Sequence, residues 1–196
     1  MSNTSATGGY ITPEGIPPLN DQSLRRFLHS VIAGITGIQD DLVRQTWATN
    51  PGPIPSIDVD WVSYGITSQR PDNAPYEEQT DNEFSVMKRH EEIDIACIFY
   101  GPNNQSYSTI LRDGMYLSQN REQLFSVKMG LLGFSDSVHV PDLVNDRYFD
   151  RTDITMTLRR EIIREYPILH FLGADGQIIA NREINTLTEN WEVPVQ

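Results

Sequence analysis

Few residues of this chain have the types and the spacing that catalysis or metal binding requires. Asp58 and Asp60 lie two positions apart in a segment that alternates like a strand, which would place both carboxylates on one face. Together with Glu92 or Asp94 they could hold Mg²⁺ or Ca²⁺, since both ions prefer carboxylate oxygens. A solvated acidic surface explains the same pattern, so we predict no metal site. A small metal-dependent enzyme built on these carboxylates stays the alternative from another functional class.

The other reactive side chains are also isolated from catalytic partners. Cys97 is the single cysteine and falls inside an apolar segment, so we predict a buried thiol of the core. The four histidines occur singly along the chain. No phosphate-binding loop, dinucleotide fingerprint, nucleophile elbow or zinc-binding HExxH motif is complete. The sequence therefore predicts no catalytic residue and no cofactor.

Composition and charge exclude further classes of protein. The 196 residues include 15 basic and 27 acidic side chains, a formal net charge of −12. This balance argues against electrostatic binding of nucleic acid, which requires clustered Lys and Arg. No apolar run reaches the roughly 20 residues of a membrane-spanning helix. A single cysteine and the lack of a signal-peptide pattern lead us to expect a protein of a reducing compartment, neither exported nor anchored in a membrane.

The elements that must position these residues begin with an arm and a helix. Residues 1–19 are rich in Ser, Thr, Gly and Pro, so we predict a flexible arm outside the core. A capped amphipathic helix follows, because apolar residues then recur at helical spacing. Those residues are Leu24, Phe27, Leu28, Val31, Ile32 and Ile35. A second helix or helix pair is predicted from residue 107 to 128, with any break at Asn120.

Several later segments have the patterns of strands. Residues 57–67 alternate with a change of face that predicts a bulge near Trp61. Glu91–Tyr100 is apolar on both faces, which is typical of a central strand. Residues 148–160 alternate between apolar and polar side chains, which predicts a strand with one solvent-exposed face. The sequence Gly-Ala-Asp-Gly at 173–176 predicts a hairpin turn.

The order of elements predicts an α+β fold with two main helices packed on one face of a mostly antiparallel sheet. We expect one such domain over residues 20–184, preceded by the arm and followed by a polar C-terminal tail over residues 185–196. Arg70–Asn82 contains two prolines and four acids without a core pattern, which predicts a long exposed loop.

The arm and this loop have isolated aromatic and apolar residues that could order on a partner and become buried there. We therefore predict that they supply contacts to neighbouring subunits or to other partners. The candidate contact residues are Tyr10, Ile11, Ile16, Arg70, Tyr76, Glu77 and Glu78.

Motifs spread over most of the chain resemble one protein family. They are Leu24-x-x-Phe27-Leu28-x-x-Val31-Ile32-x-Gly34-Ile35, Asp41-Leu42-Val43-Arg44-x-x-Trp47 with Asn50-Pro51, Trp61-x-x-Tyr64-Gly65-Ile66, His90-Glu91-Glu92-Ile93-Asp94-Ile95 with Phe99-Tyr100-Gly101-Pro102, Leu111-Arg112-Asp113-Gly114 with Asn120-Arg121-Glu122-x-Leu124, and Arg147 to Arg164. From about Leu19 to Glu183 the chain resembles the neck or tail terminator proteins of contractile-tailed bacteriophages.

The resemblance implies a structural virion protein that is assembled in the host cytoplasm and located at the top of the tail. Related terminators form a ring, usually of six subunits, that caps the tail tube and sheath and joins them to the head-proximal connector. A ring of acidic subunits would let genomic DNA pass through its lumen without binding it specifically. The candidate lumen acids are Asp40, Asp41, Asp58 and Asp60.

Two alternatives stay open at this point. A head completion or stopper protein of the same neck would share the motifs and the composition. An acidic binding module that captures a basic host protein is an alternative that rests on the charge alone. Such a module would bind its partner with a strong dependence on salt.

Overall fold

The computed structural model describes residues 10–79, 84–144, 146–168, 173–182 and 185–194. The helices of these ranges are α1 (Asp21–Thr36), α2 (Asn104–Met115) and α3 (Ser118–Ser126), with a short 3₁₀ turn at Asp40–Leu42. The strands are β1 (Val43–Gln45), β2 (Trp61–Pro71), β3 (Tyr76–Gln79), β4 (Phe84–Tyr100), β5 (Met129–Phe134), β6 (Val138–His139), β7 (Asp142–Val144), β8 (Arg147–Phe149), β9 (Arg151–Pro167), β10 (Gly173–Arg182) and β11 (Asn185–Pro194).

Within the described ranges, seven strands form one sheet in the order β1-β2-β4-β9-β5, with β3 paired to β4 and β6 paired to β9. β1 runs parallel to β2, whereas the β2–β4, β5–β9 and β6–β9 pairs are antiparallel. The β7–β8 and β10–β11 pairs form separate antiparallel ladders. The predicted α+β class with a mostly antiparallel sheet is confirmed.

One face of the sheet and the helices share a single apolar core. In β4, Ile93, Ile95, Cys97 and Phe99 are buried while the intervening residues are partly exposed. This period of two means that the core lies on one face of the sheet. Leu24, Leu28, Leu111 and other buried helical residues join the same cluster. The prediction that Cys97 is a core thiol is confirmed, and burial raises the pKa of this thiol to about 12.

Helix α1 begins and ends at residues suited to those positions. The backbone N–H of Asn20 donates to Ser23 Oγ at 3.1 Å, as in a capping box. Gly37 adopts a left-handed φ of 72°, and its N–H donates to the carbonyl of Ala33 at 2.9 Å. Only glycine adopts this conformation without strain, so the helix stops there.

The chain divides into two compact units. The larger unit comprises Ile16–Tyr76 and Met87–Ile163, and it contains the three helices and the apolar core of the described residues. The smaller unit comprises Met1–Gly15, Glu77–Val86 and Arg164–Gln196, and its described part contains the β10–β11 ladder. The expected arm, single domain and tail stay a prediction.

The strand predicted over residues 57–67 starts later than expected. The backbone N–H of Val59 donates to the carbonyl of Ser56 at 3.0 Å, so the segment before β2 forms a turn. The register shift of β2 lies between Ile66 and Ser68 instead of near Trp61. Asp58 and Asp60 therefore do not lie together on one strand face, and that prediction is wrong.

The predicted loop over Arg70–Asn82 is mostly strand where the structure describes it. β2 extends through Pro71, β3 begins at Tyr76, and the N–H of Asp72 donates to the carbonyl of His90 at 2.9 Å. The 17-residue β4 supplies backbone partners beyond the apolar core. Apolar and polar residues do not alternate in these exposed strands, so the hydrophobic pattern predicted a loop.

Two further boundaries differ from the predictions. The helix pair breaks after Met115, and Asn120 is already inside α3, where its Nδ2 donates to the carbonyl of Gly114 at 2.9 Å. Asp175 and Gly176 lie inside β10, so the hairpin turn predicted there is wrong. Arg182 pairs with Asn185 in the β10–β11 ladder, and the predicted tail contains β11.

Candidate interaction surfaces

Asp60 closes a turn of its own chain. Its Oδ1 accepts a hydrogen bond from the backbone N–H of Asn103, and its Oδ2 accepts one from Asn103 Nδ2, both at 2.8 Å. Gly101 beside it has a φ of 106°, and a Cβ there would lie 2.6 Å from Asp60 Oδ1. The carboxylate thus joins the start of β2 to the turn between β4 and α2.

Asp94 and Glu92 are held by an arginine instead of converging with Asp60. The guanidinium of Arg70 donates to both oxygens of Asp94 and, at 3.3 Å, to Glu92. Thr157 Oγ1 also donates to Asp94 at 2.9 Å. These hydrogen bonds, that of Arg70 foremost, lower the pKa of the Asp94 carboxyl. Arg70, predicted as a partner contact, has these intrachain partners and remains half-exposed.

The remaining candidate acids lie on the surface. Asp40 contacts His29 Nε2 at 2.7 Å, whereas the side chains of Asp41 and Asp58 are exposed. Among the residues that the structure describes, no group of three His, Cys, Asp or Glu side chains is arranged to hold a metal ion. The role of these acids in a lumen stays a prediction.

The arm presents its apolar side chains to solvent. Tyr10 is 87% exposed and Ile16 is 95% exposed, and Ile11 is also exposed. The backbone N–H of Glu14 donates to the carbonyl of Glu165 at 2.8 Å. The described arm therefore has at least one backbone hydrogen bond to the rest of the chain, while its apolar side chains are exposed to solvent.

A buried arginine holds the end of the arm. Arg160 is 4% exposed, and its Nε donates to Glu91 at 2.6 Å. Its two terminal nitrogens donate to the carbonyl of Leu19 and, at 2.9 Å, to Asn20 Oδ1. Leu19 also packs against the apolar core. This cluster, the Arg160 clasp, was missed by sequence reasoning; its signal is a charged residue at a core-facing position of a strand.

The predicted contacts of the acidic segment lie on β3. All four residues of β3 are exposed. Lys88 Nζ lies 5.8 Å from the ring centre of Tyr76, and Glu77 accepts a hydrogen bond from Ser85 Oγ at 2.7 Å. Glu78 lies on the same exposed strand. Whether these side chains contact partners stays a prediction.

A groove of about 540 Å³ lies beside β1, and we call it the β1 groove. Its apolar lining includes Val43, Pro51, Ile54 and Trp61. Arg44 also lines it, with its Nε donating to the carbonyl of Asp41 at 3.1 Å and its Nη1 to that of Pro53 at 2.6 Å.

The wall of the β1 groove is built on stacked side chains. The guanidinium carbon of Arg44 lies 5.9 Å from the ring centre of Trp61. The rings of Trp61 and Tyr100 stack at 4.2 Å with an interplanar angle of 6°. Stacking and backbone hydrogen bonds hold these side chains in place before any ligand binds. Sequence reasoning did not find this groove, because its lining combines the segment around β1 with His29 of α1 and Trp61 of β2, which are distant in sequence.

A second apolar surface lies at the ends of α2 and α3, and we call it the helix-end patch. Tyr116, Leu117, Phe125 and Leu132 are each at least half exposed. The rings of Tyr116 and Phe134 lie 6.3 Å apart, and Phe125 and Leu132 line a common cavity of about 530 Å³. Clusters of exposed apolar residues are typical of interaction surfaces.

Comparison of the sequence with known protein families identifies one family that matches most of the chain. No helix among the described residues is both long and apolar enough to span a bilayer. No curated protein matches the chain. A family model described as "Phage neck terminator protein" matches residues 22–183, which include most of α1, the whole of the seven-stranded sheet, and the helices α2 and α3.

Proposed function

Because the chain belongs to the phage neck terminator family, we propose that it forms a ring of six subunits that caps the tail tube and sheath. Family membership makes the chain a structural protein of the phage neck and a component of the virion. In the proposal, one face of the ring occupies the end of the tube and stops its elongation. The other face binds the head-proximal connector.

The match over residues 22–183 is the observation that carries this proposal. Exposed apolar residues on the arm and on the helix-end patch support it, because a subunit in a ring needs surfaces for its neighbours. We propose that the protein acts by surface complementarity and not by catalysis.

The acidic charge supports a further part of the proposal. Each subunit has a formal charge of −12, so a ring would surround its lumen with negative potential. Genomic DNA would then pass without specific binding. We propose Asp40, Asp41, Asp58 and Asp60 as the lumen acids, which keeps that role for two side chains that also have partners in their own chain.

A tube-growth assay tests the proposal. Tail tube protein is allowed to polymerise with and without this protein, and tube lengths are measured by electron microscopy. We expect growth to stop at substoichiometric amounts, since one ring per tube end suffices. Tubes that reach the same length at saturating amounts would contradict the proposal.

Matched variants make this assay specific. Replacing Phe125 and Leu132 by Ser removes two side chains of the helix-end patch, and we expect capping to weaken. Replacing Val138 and Tyr148 by Ser removes comparably exposed side chains outside the patch, and we expect capping to be retained. Circular dichroism of both variants confirms that they are folded.

A further inference from the structure

We propose that the arm of one copy, residues 10–16, binds in the β1 groove of a neighbouring copy. This inference rests on the ring proposed above and names the contact between its subunits. A segment that leaves one subunit and binds the next makes a heterologous contact, and repeated heterologous contacts generate closed rings.

The arm has the chemistry of a groove ligand. Tyr10 and Ile16 are almost fully exposed, so burial on a partner would remove a large apolar area from water. Pro13, Pro17 and Pro18 restrict the backbone of the arm. An extended segment that is restricted before binding loses less conformational entropy when it binds.

The β1 groove has the matching chemistry. Its volume of about 540 Å³ is large enough for bulky side chains, and Val43, Pro51 and Ile54 give it an apolar lining. Ile54 is 63% exposed, so its side chain is accessible to a partner. The backbone contacts of Arg44 and the stack of Trp61 on Tyr100 fix the groove before binding.

Charge favours one placement of the arm. Glu14 is the single charged residue of the segment from 10 to 18. The charged or titratable residues that line the groove are Arg44, His29 and Asp41. Glu14 would be attracted to Arg44 and repelled by Asp41. The arm therefore enters with Glu14 on the Arg44 side of the groove.

In every copy the arm joins the larger unit at β9 and not beside the β1 groove. Leu19 and Asn20, at the end of the arm, are hydrogen-bonded to Arg160 on β9. In the sheet, β4 and β2 lie between β9 and the β1 strand that lines the groove. These attachments favour a second copy as the source of the bound arm.

Cysteine cross-linking between two single variants tests the contact. Ile16→Cys and Ile54→Cys replace exposed side chains on the arm and in the groove. The native Cys97 is buried and does not compete for the reagent. We expect a mixture of the two variants, assembled on tail tube ends and treated with a short bismaleimide, to give at least fivefold more cross-linked dimer than either variant alone.

A matched pair and a double variant complete the design. Ile16→Cys mixed with Val138→Cys offers a similarly exposed cysteine outside the groove, and we expect only background cross-linking. In Ile16→Cys/Ile54→Cys, a cross-link within a dilute monomer would mean that each arm fills its own groove and would overturn the proposal. A dominant 16-to-16 product would also overturn it.

The same samples separate this inference from the proposed function. If tubes are capped but no 16-to-54 product forms, the arm contact is wrong and the capping role stands. If the product forms but tubes continue to grow, the contact stands and the capping role is wrong.

Discussion

Single charged side chains stabilise the larger unit by bonds within their own chain. Asp60 bonds the turn after β4, Arg70 bonds Asp94 on the neighbouring strand, and Arg160 bonds Glu91 and the end of the arm. Each of these bonds links residues far apart in sequence. They show why residue type and spacing alone left a metal site open as an alternative where the structure has hydrogen bonds.

The bond between Asp60 and Asn103 gives a prediction for stability. Asp60→Ala removes a charged acceptor from two donors, and we expect the free energy of unfolding to fall by about 1–3 kcal/mol. Urea denaturation followed by tryptophan fluorescence measures the change. Asp58→Ala is the control, because that side chain is exposed and its loss is expected to change stability by no more than about 0.5 kcal/mol. Equal effects of the two substitutions would contradict the assigned role.

Sequence reasoning succeeded for single residues where burial follows from the pattern. Cys97 lies among apolar neighbours on a strand, and its burial was predicted correctly. Arg160 ends the predicted strand and continues the core-facing series of Ile154, Met156 and Leu158, but its burial was not predicted because its side chain is charged. Glu91 and the other partners of Arg160 offset the cost of burying its charge. They are distant in sequence, so local spacing could not predict them.

Elements with an apolar stripe were predicted best. Helix α1 and strands β4 and β9 bury regularly spaced side chains, so the period of their apolar residues reveals them. Strand β3 has all its residues exposed, and it forms because β4 offers backbone partners. Strand β11 lies in a polar segment, so its sequence predicted a polar tail. The strand forms because it pairs with β10.

The Arg160 clasp defines where the arm can be removed without loss of stability. Deleting residues 2–15 leaves Leu19 in place, so we expect the urea midpoint to stay within error of the full chain. Deleting residues 2–19 removes an acceptor from a buried guanidinium and a side chain from the core edge. We expect this longer deletion to cost at least about 1–3 kcal/mol.

Urea denaturation of the two deletions measures the difference directly. Both variants lack residues 10–15 of the segment proposed to bind a neighbour, so a difference in stability between them reports residues 16–19, which include Leu19 of the clasp. A midpoint that falls by the same amount in both would show that the clasp contributes nothing. Loss of the cooperative transition in the shorter deletion would show that residues 2–15 belong to the folded core.

For the whole molecule, the motifs that resemble the terminator family include core positions of the helices and the sheet, such as Leu24, Phe99 and Leu111. That explains why the resemblance and the family model agree over nearly the same residues. The surfaces proposed to join subunits are the arm, the β1 groove and the helix-end patch. Most of the β1 groove lies within residues 41–54, which include one of these motifs, whereas the helix-end patch combines side chains from α3, β5 and the turn between α2 and α3.

The acidic charge of the whole molecule affects how copies associate. A formal charge of −12 per subunit keeps single copies apart at low ionic strength, and salt screens this repulsion. In the proposed ring, apolar contacts between subunits must therefore offset the repulsion. The proposed arm contact contributes such area at each junction.

Electron cryo-microscopy of tail tubes incubated with the protein tests the central claim most directly. The account predicts a closed ring of six copies on one end of each tube, one subunit thick, with an open lumen in line with the tube. Bare tube ends at saturating protein, or copies bound along the side of the tube, would contradict it.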